Sequence, residues 1–139
     1  MTPEALADIH ARSILVPTPW PPPTFEGFIT ARGAILVSEE QGFVLGRVTV
    51  DEAELLTLAV LPEARRRGIA RKCLTAFEHK AEAMGASHAF LEVAETNFAA
   101  RALYQSAGWS EDAIRRDYYR VSGGGTINAI AMSKSLKTA

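Results

Sequence analysis

The segment 60-VLPEARRRGIAR-71 joins an apolar run to an apolar helix, and its reading decides the fold. Before it, 53-AELLTLAV-60 is a short apolar run bounded by turn signals, as a buried strand requires. After it, Ile69, Ala70, Cys73, Leu74, Phe77, Ala81 and Met84 recur at three- and four-residue spacing. That is the period of an amphipathic helix over 69–84, and Gly85 supplies its C-cap. The quoted segment therefore lies at a helix N-terminus, where backbone N–H groups lack partners and the helix dipole is positive. Anions bind at such a place for both reasons together. Gly68 has no Cβ and lets a ligand approach the backbone, and Ala70 is nearly as small. Arg65, Arg66, Arg67 and Arg71 add positive charge around the rim. A solvated basic turn is the plainer account, but arginines beside a helix N-terminus oppose its dipole.

Working outward, 33-GAILVS-38 and 43-FVLGRVTV-50 read as strands flanking the hairpin turn Glu39-Glu40-Gln41-Gly42. Asp51-Glu52 turns the chain into the strand 53–60, which completes an antiparallel meander. Past Gly85, 88-HAFLEVA-94 is a further strand, so strand, helix and strand in succession predict a parallel crossover. A second helix runs from about Asn97 to Ala107. Two closing strands, near 109-WSEDAIRRDYY-119 and 126-TINAIAMSKS-135, are joined by the turn 122-SGGG-125. At the start, Thr2-Pro3-Glu4 opens a short helix to about Arg12. The five prolines of 15-LVPTPWPPPTF-25 exclude regular helix and central strand there and predict a stiff surface loop, with a short helix near 24–29. The expected fold is α/β, with a mixed sheet that is antiparallel at both ends and holds one parallel pair inside.

Composition sets the outer limits. With 139 residues, the chain is read as one domain, 1–139, long enough to bury a core without staples. Fifteen basic residues against sixteen acidic ones argue against a general nucleic-acid binder. The single Cys73 excludes an internal disulfide, and no Cys/His spacing suggests a metal. No apolar run is long enough to cross a bilayer, and 1-MTPEALADIH-10 lacks the features of a signal peptide. No membrane association is expected, and the expected location is the cytoplasm.

The order Val60, Pro62, Arg65-x-x-Gly68-x-Ala70 resembles the pyrophosphate-binding motif of the GNAT superfamily of N-acetyltransferases. The stretch 91-LEVAETNFAARALYQSAGW-109 and the order of elements from Gly33 onward resemble it too. Within that superfamily, 91-LEV-93, Asn97, 102-ALY-104 and 114-IRRDYY-119 are similar to the bacterial ribosomal-protein-alanine N-acetyltransferases, and 19-PWPPPTF-25 resembles their N-terminal substrate loop. The resemblance implies a GNAT fold, with a splayed parallel pair and a C-terminal hairpin in a sheet flanked by helices. It implies acetyl-CoA as co-substrate, no metal, and a peptide or protein N-terminus as acceptor in a ternary complex. By position, the backbone of Leu58 and Val60 would pair with the pantetheine amides. Backbone N–H groups around Arg66, Arg67, Gly68, Ala70 and Arg71 would hold the pyrophosphate, with Arg65 beside them, and Asn97 would bond to the pantetheine arm. Trp20, Arg115 and Tyr118 would border the acceptor. The sequence departs from the pattern at Ala70, where glycine is commonest, and at Ala94, where arginine is usual, a change that bears on the peptide substrate.

In the implied reaction an amine attacks a thioester, an oxyanion forms and a thiolate leaves. An α-amine, with a pKa of about 8, needs less help to become neutral than a lysine near 10.4. Glu92 is the candidate base, as the lone acid of 88-HAFLEVA-94, where an unpaired buried carboxylate would have a raised pKa. A glutamate turned to solvent, or paired with an arginine, is the structural alternative. Tyr104 is the candidate acid for the thiolate, against a tyrosine that merely packs on the core. A backbone N–H near Val60 would meet the oxyanion. His10 and His79 are read as solvated on polar helix faces, His88 as partnerless for a metal, and Cys73 as a core residue. A GNAT enzyme for a small amine and a non-catalytic acyl-CoA sensor are the competing readings.

Overall fold

The computed structural model describes residues 1–14, 18–121 and 123–136. Leu15, Val16 and Pro17 of the proline loop and Ser122 of the last turn lie outside the described residues. The elements are α1 (Pro3–Ser13), α2 (Pro22–Ile29), β1 (Ala34–Glu39), β2 (Gly42–Thr49), β3 (Glu52–Val60), a 3-10 turn (Pro62–Ala64), α3 (Ile69–Ala83), β4 (His88–Ala94), α4 (Phe98–Ser106), β5 (Ser110–Arg120) and β6 (Thr126–Ser135). Every expected helix and strand is present, with ends shifted by a residue or two. Thr2 caps α1 as expected, its hydroxyl accepting from the Ala5 N–H at 3.1 Å.

One six-stranded sheet runs in the order β1-β2-β3-β4-β6-β5, with β3 and β4 its parallel pair. On one face α3 buries Cys73, Leu74, Phe77 and Ala81, the positions its period predicts, in a core with Leu55, Leu91, Tyr104 and Met132. Burying a side chain such as Phe77 contributes about 1.5–3 kcal/mol. Phe77 lies so close over Gly46 that a Cβ there would strike the ring and come within 2.6 Å of the Glu54 carbonyl. A second core, with Leu6, Ile9, Phe25, Phe43, Leu45 and Ala59, joins α1 and α2 to the sheet.

The parallel pair is short. It runs only from Glu52↔His88 to Glu54↔Phe90. Just beyond, β3 carries one extra residue: Gly46 pairs with Leu55 and Leu45 with Thr57, leaving Leu56 between them. Such a bulge bends a strand and increases its twist. From there β3 stays paired to β2 as far as Val60, and β4 to β6 as far as Ala94. Each lip of the opening thus has its own antiparallel partner and holds its shape without the other. Among the described residues no helix is long and apolar enough to cross a membrane.

Candidate active site

The opening between β3 and β4 forms a cleft. Its walls come from Leu55 to Leu58 on one lip, Glu92 to Ala94 on the other, Asn97, Ala100 and Tyr104 of α4, and His10, Ile14, Trp20 and Tyr119. Beyond Glu54 and Phe90 the facing edges of the two lips have no strand between them. Leu58 and Val60, two residues apart on β3, present their backbone groups to the same edge.

The chain leaves β3 through the 3-10 turn and reaches α3 with Arg66 at φ 65° and Gly68 at φ 76°. A side chain at Gly68 would meet nothing within 4 Å, so its glycine answers the left-handed backbone and the open space above it. The backbone N–H groups of Arg66, Arg67, Gly68, Ile69, Ala70 and Arg71 make no hydrogen bond to another described residue. A run of free N–H groups at a helix N-terminus is an anion-binding concavity. Several arginine side chains here have partners. Arg65 donates to the Ser13 carbonyl at 3.2 Å, Arg67 reaches the Gln41 side chain at 3.5 Å, and Arg71 donates to the Ser106 hydroxyl on α4.

Glu92 is half-buried on β4, but it is not the unpaired carboxylate the sequence suggested. Arg115, from β5, donates to it at 3.2 and 3.3 Å, and the Tyr118 hydroxyl lies at 3.5 Å. A local feature of β5 brings them there. The register slips between Arg115↔Ala129 and Tyr119↔Ile127, so the strand bulges outward, with Asp117 at φ 54°. The Asn128 side-chain oxygen accepts from the Asp117 N–H at 2.8 Å, and the Thr126 hydroxyl donates to the Asp117 carboxylate at 2.7 Å. Tyr119 lines the cleft, its phenol pushed up to about 12 by burial, the Glu92 charge and Tyr118.

Tyr104 is 4% exposed and lines the cleft from α4. Burial foremost, and then Tyr119, raises its pKa above that of a free phenol, so it keeps its proton at neutral pH. Its hydroxyl makes no hydrogen bond to another described residue. Asn97 caps α4, its Oδ1 accepting from the Ala100 N–H at 3.1 Å, which leaves its amide N–H groups as the donors for a ligand.

His10 overturns its sequence reading. It lies four residues after Leu6, on the buried face of α1, and is 1% exposed. Its Nε2 is 3.0 Å from the Thr57 hydroxyl, and its Nδ1 accepts from the Trp20 N–H at 3.0 Å. Burial pulls its pKa down to about 4. The spacing from Leu6 and Ile9 was the signal for this. His79 is exposed and Cys73 is a core residue, its thiol pushed up to about 11 by burial and Glu39, against Lys72. Among the described residues no cluster of His, Cys, Asp or Glu could hold a metal ion.

A mixed sheet parted at its parallel pair, with a helix N-terminus of free N–H groups beside the opening, defines the class of α/β protein to which this fold belongs. Residues 8–109 match the Acetyltransferase (GNAT) family, and the chain belongs to it. It is 38% identical over 91 residues to a [Ribosomal protein bS18]-alanine N-acetyltransferase of Haemophilus ducreyi, a stretch that covers 66% of this chain and 63% of that protein. It is 36% identical over 126 residues to the N-alpha-acetyltransferase RimI of Mycobacterium tuberculosis, covering 84% of this chain and 78% of that one. The crystal structure of the ribosomal-protein-S18-alanine N-acetyltransferase from Escherichia coli superimposes with a TM-score of 0.85 at 31% identity, covering 99% of this chain and 89% of that one.

Proposed function

We propose that this protein is an N-acetyltransferase that moves the acetyl group of acetyl-CoA to the N-terminal α-amine of a protein, a ribosomal protein foremost. The observation that carries this reading is the joining of Glu92 and Tyr104 in one cleft, between two free strand edges, in a chain of the GNAT family. The names of the relatives support the acceptor, since they act on the alanine of a ribosomal protein.

The residues fit acetyl-CoA. The free N–H groups from Arg66 to Arg71 take the pyrophosphate, and the space above Gly68 leaves room for it. The edge of Leu58 and Val60 takes the amides of the pantetheine arm as an added strand would, and Asn97 donates to the same arm. When bound, acetyl-CoA supplies the thioester. Glu92 takes the proton of the acceptor amine, directly or through a water, while Arg115 and Tyr118 hold the carboxylate in place. Tyr104 keeps its proton at rest and gives it to the departing sulfur. A backbone N–H near Val60 meets the oxyanion. Trp20, in the cleft wall, and Arg115 and Tyr118, which reach Glu92 from β5, border the acceptor.

A small cationic acceptor fits less well. Glu92 is the one carboxylate among the residues lining the cleft, and Arg115 already faces it. A site for a polyamine would carry more negative charge. The test is a matched set of acceptors, assayed by mass spectrometry with acetyl-CoA: an Ala-start peptide, a bulky-start peptide, a lysine peptide with a blocked N-terminus, and spermidine. Transfer to the Ala-start peptide is expected to dominate. Preference for the blocked lysine peptide or for spermidine would overturn the proposal.

A further inference from the structure

We infer that His10 is a positioning residue that pins Trp20 to the β3 lip and thereby sets the size of the slot for the acceptor's first side chain. The inference rests on the acceptor reading above and adds a residue to it.

The sequence of the proline loop explains why a pin is needed. In 19-PWPPP-23, four of five residues are prolines and have no N–H. Trp20 carries the one backbone donor in that stretch, and His10 Nδ1 accepts it at 3.0 Å. No other main-chain donor within those residues could anchor the loop. The other ring nitrogen reaches the Thr57 hydroxyl at 3.0 Å, and Thr57 is the first residue after the extra Leu56, where β3 has left β4. One ring therefore connects the loop to the lip at the place where the cleft opens.

The roles of the two nitrogens follow from their partners. A backbone N–H can only donate, so Nδ1 must offer its lone pair, and the neutral ring carries its hydrogen on Nε2, which donates to Thr57. A merely packed side chain would not need these groups. The ring sits among Trp20, Phe25 and Phe43, with centroids 5.1, 5.3 and 6.3 Å away, where a phenylalanine would fill the space at no cost in buried polarity. The polar ring is explained by its two directed bonds. Trp20, so held, stacks on Phe25 and Phe28 and stands in the cleft wall.

The test compares wild type with His10→Phe, His10→Asn and Thr57→Val. Asn places an acceptor oxygen near the Nδ1 position and so can keep the Trp20 bond while losing the Thr57 one. Three readouts are taken: hydrogen exchange at the Trp20 amide, KM for acceptor against KM for acetyl-CoA, and the ratio of kcat/KM for an Ala-start to a Leu-start peptide. In His10→Phe the Trp20 amide is expected to exchange roughly tenfold faster, the size of one lost hydrogen bond. The acceptor KM rises and the Ala-over-Leu ratio falls by roughly the same factor, with the acetyl-CoA KM unchanged. His10→Asn recovers the amide protection, while its ratio stays lowered like that of Thr57→Val, because the bond to the β3 lip is gone. Unchanged protection and ratio in His10→Phe would overturn the inference. Equal rises in both KM values with no recovery in His10→Asn would also overturn it, by showing only a loosened fold. If His10→Phe does not fold, His10→Asn and Thr57→Val decide: a slow Trp20 amide in the first and a lowered ratio in the second support the pin, and the reverse refutes it. If wild type prefers spermidine or blocked lysine, the acceptor reading fails, and the slot with it, while amide exchange alone reports whether His10 holds Trp20.

Discussion

The burial of His10 makes a quantitative claim about stability against pH. The unfolded chain protonates this imidazole as pH falls through 6.5, whereas the folded protein resists until about 4. Between those values the unfolded state binds more protons, so stability falls as pH falls. The contribution is fully present above about pH 6.5 and is lost as pH drops toward 4. Across the whole window it amounts to roughly 3 kcal/mol, and between pH 7 and pH 5 to about 2 kcal/mol. For a domain of this size that is about 4–8 °C in Tm. The assay is thermal and urea unfolding of wild type and His10→Phe at both pH values. His79, His88 and the carboxylates are common to both proteins and cancel in the difference. A phenyl ring cannot protonate, so the variant should lose about 2 kcal/mol less than wild type over the interval, whatever its stability at pH 7. Equal losses in the two proteins would refute the reasoning.

Three further outcomes follow from the same geometry. CoA should raise the Tm of wild type by binding the folded state, and Gly68→Glu should abolish the shift, because it puts a charged side chain into the open space at the free N–H groups; equal shifts at saturating CoA would contradict that placement. Tyr104→Phe should lower kcat by roughly 10²–10⁴-fold with acetyl-CoA affinity unchanged, and an unaltered chemical step in rapid-quench kinetics would leave Tyr104 as packing. Gly46→Ala should destabilise by about 1–3 kcal/mol in urea unfolding, since its Cβ meets Phe77 and the Glu54 carbonyl, and a neutral effect would show that the ring yields easily.

Much of the fold was legible because it is written in local periods. Cys73, Leu74, Phe77 and Ala81 announce α3, and the hairpin turn at Glu40-Gln41 falls where its residues predict. The free N–H run was legible too, since it needs only a strand, a glycine and a helix in order. What stayed hidden depends on pairing between distant residues. Nothing near Glu92 says that Arg115 will face it; that contact arises from the slipped register of β5, which Asn128 and Asp117 fix across two strands. The extra Leu56 is equally silent, because a bulge is a property of two strands counted against each other. His10 is a different case. Its place four residues after Leu6 put it on the apolar face of α1, but its polarity suggested solvent, and the two bonds that reconcile the two come from Thr57 and Trp20.

The bulge at Leu56 has an evolutionary consequence. What parts the two lips is the number of residues in β3 and not the identity of any one of them. Point mutation at position 56 changes a side chain and some packing, yet the count stays the same. Loss of that single codon would set Leu55 and Thr57 opposite Gly46 and Leu45 in unbroken register and so remove the bend that turns β3 away from β4. The strand edge of Leu58 and Val60 would then run on beside β4, and the cleft would lose its opening. Lineages can therefore drift through many residues at this position while almost none survives an in-frame deletion, and a survey of natural variation should find the segment from Glu54 to Val60 constant in length even where its letters differ.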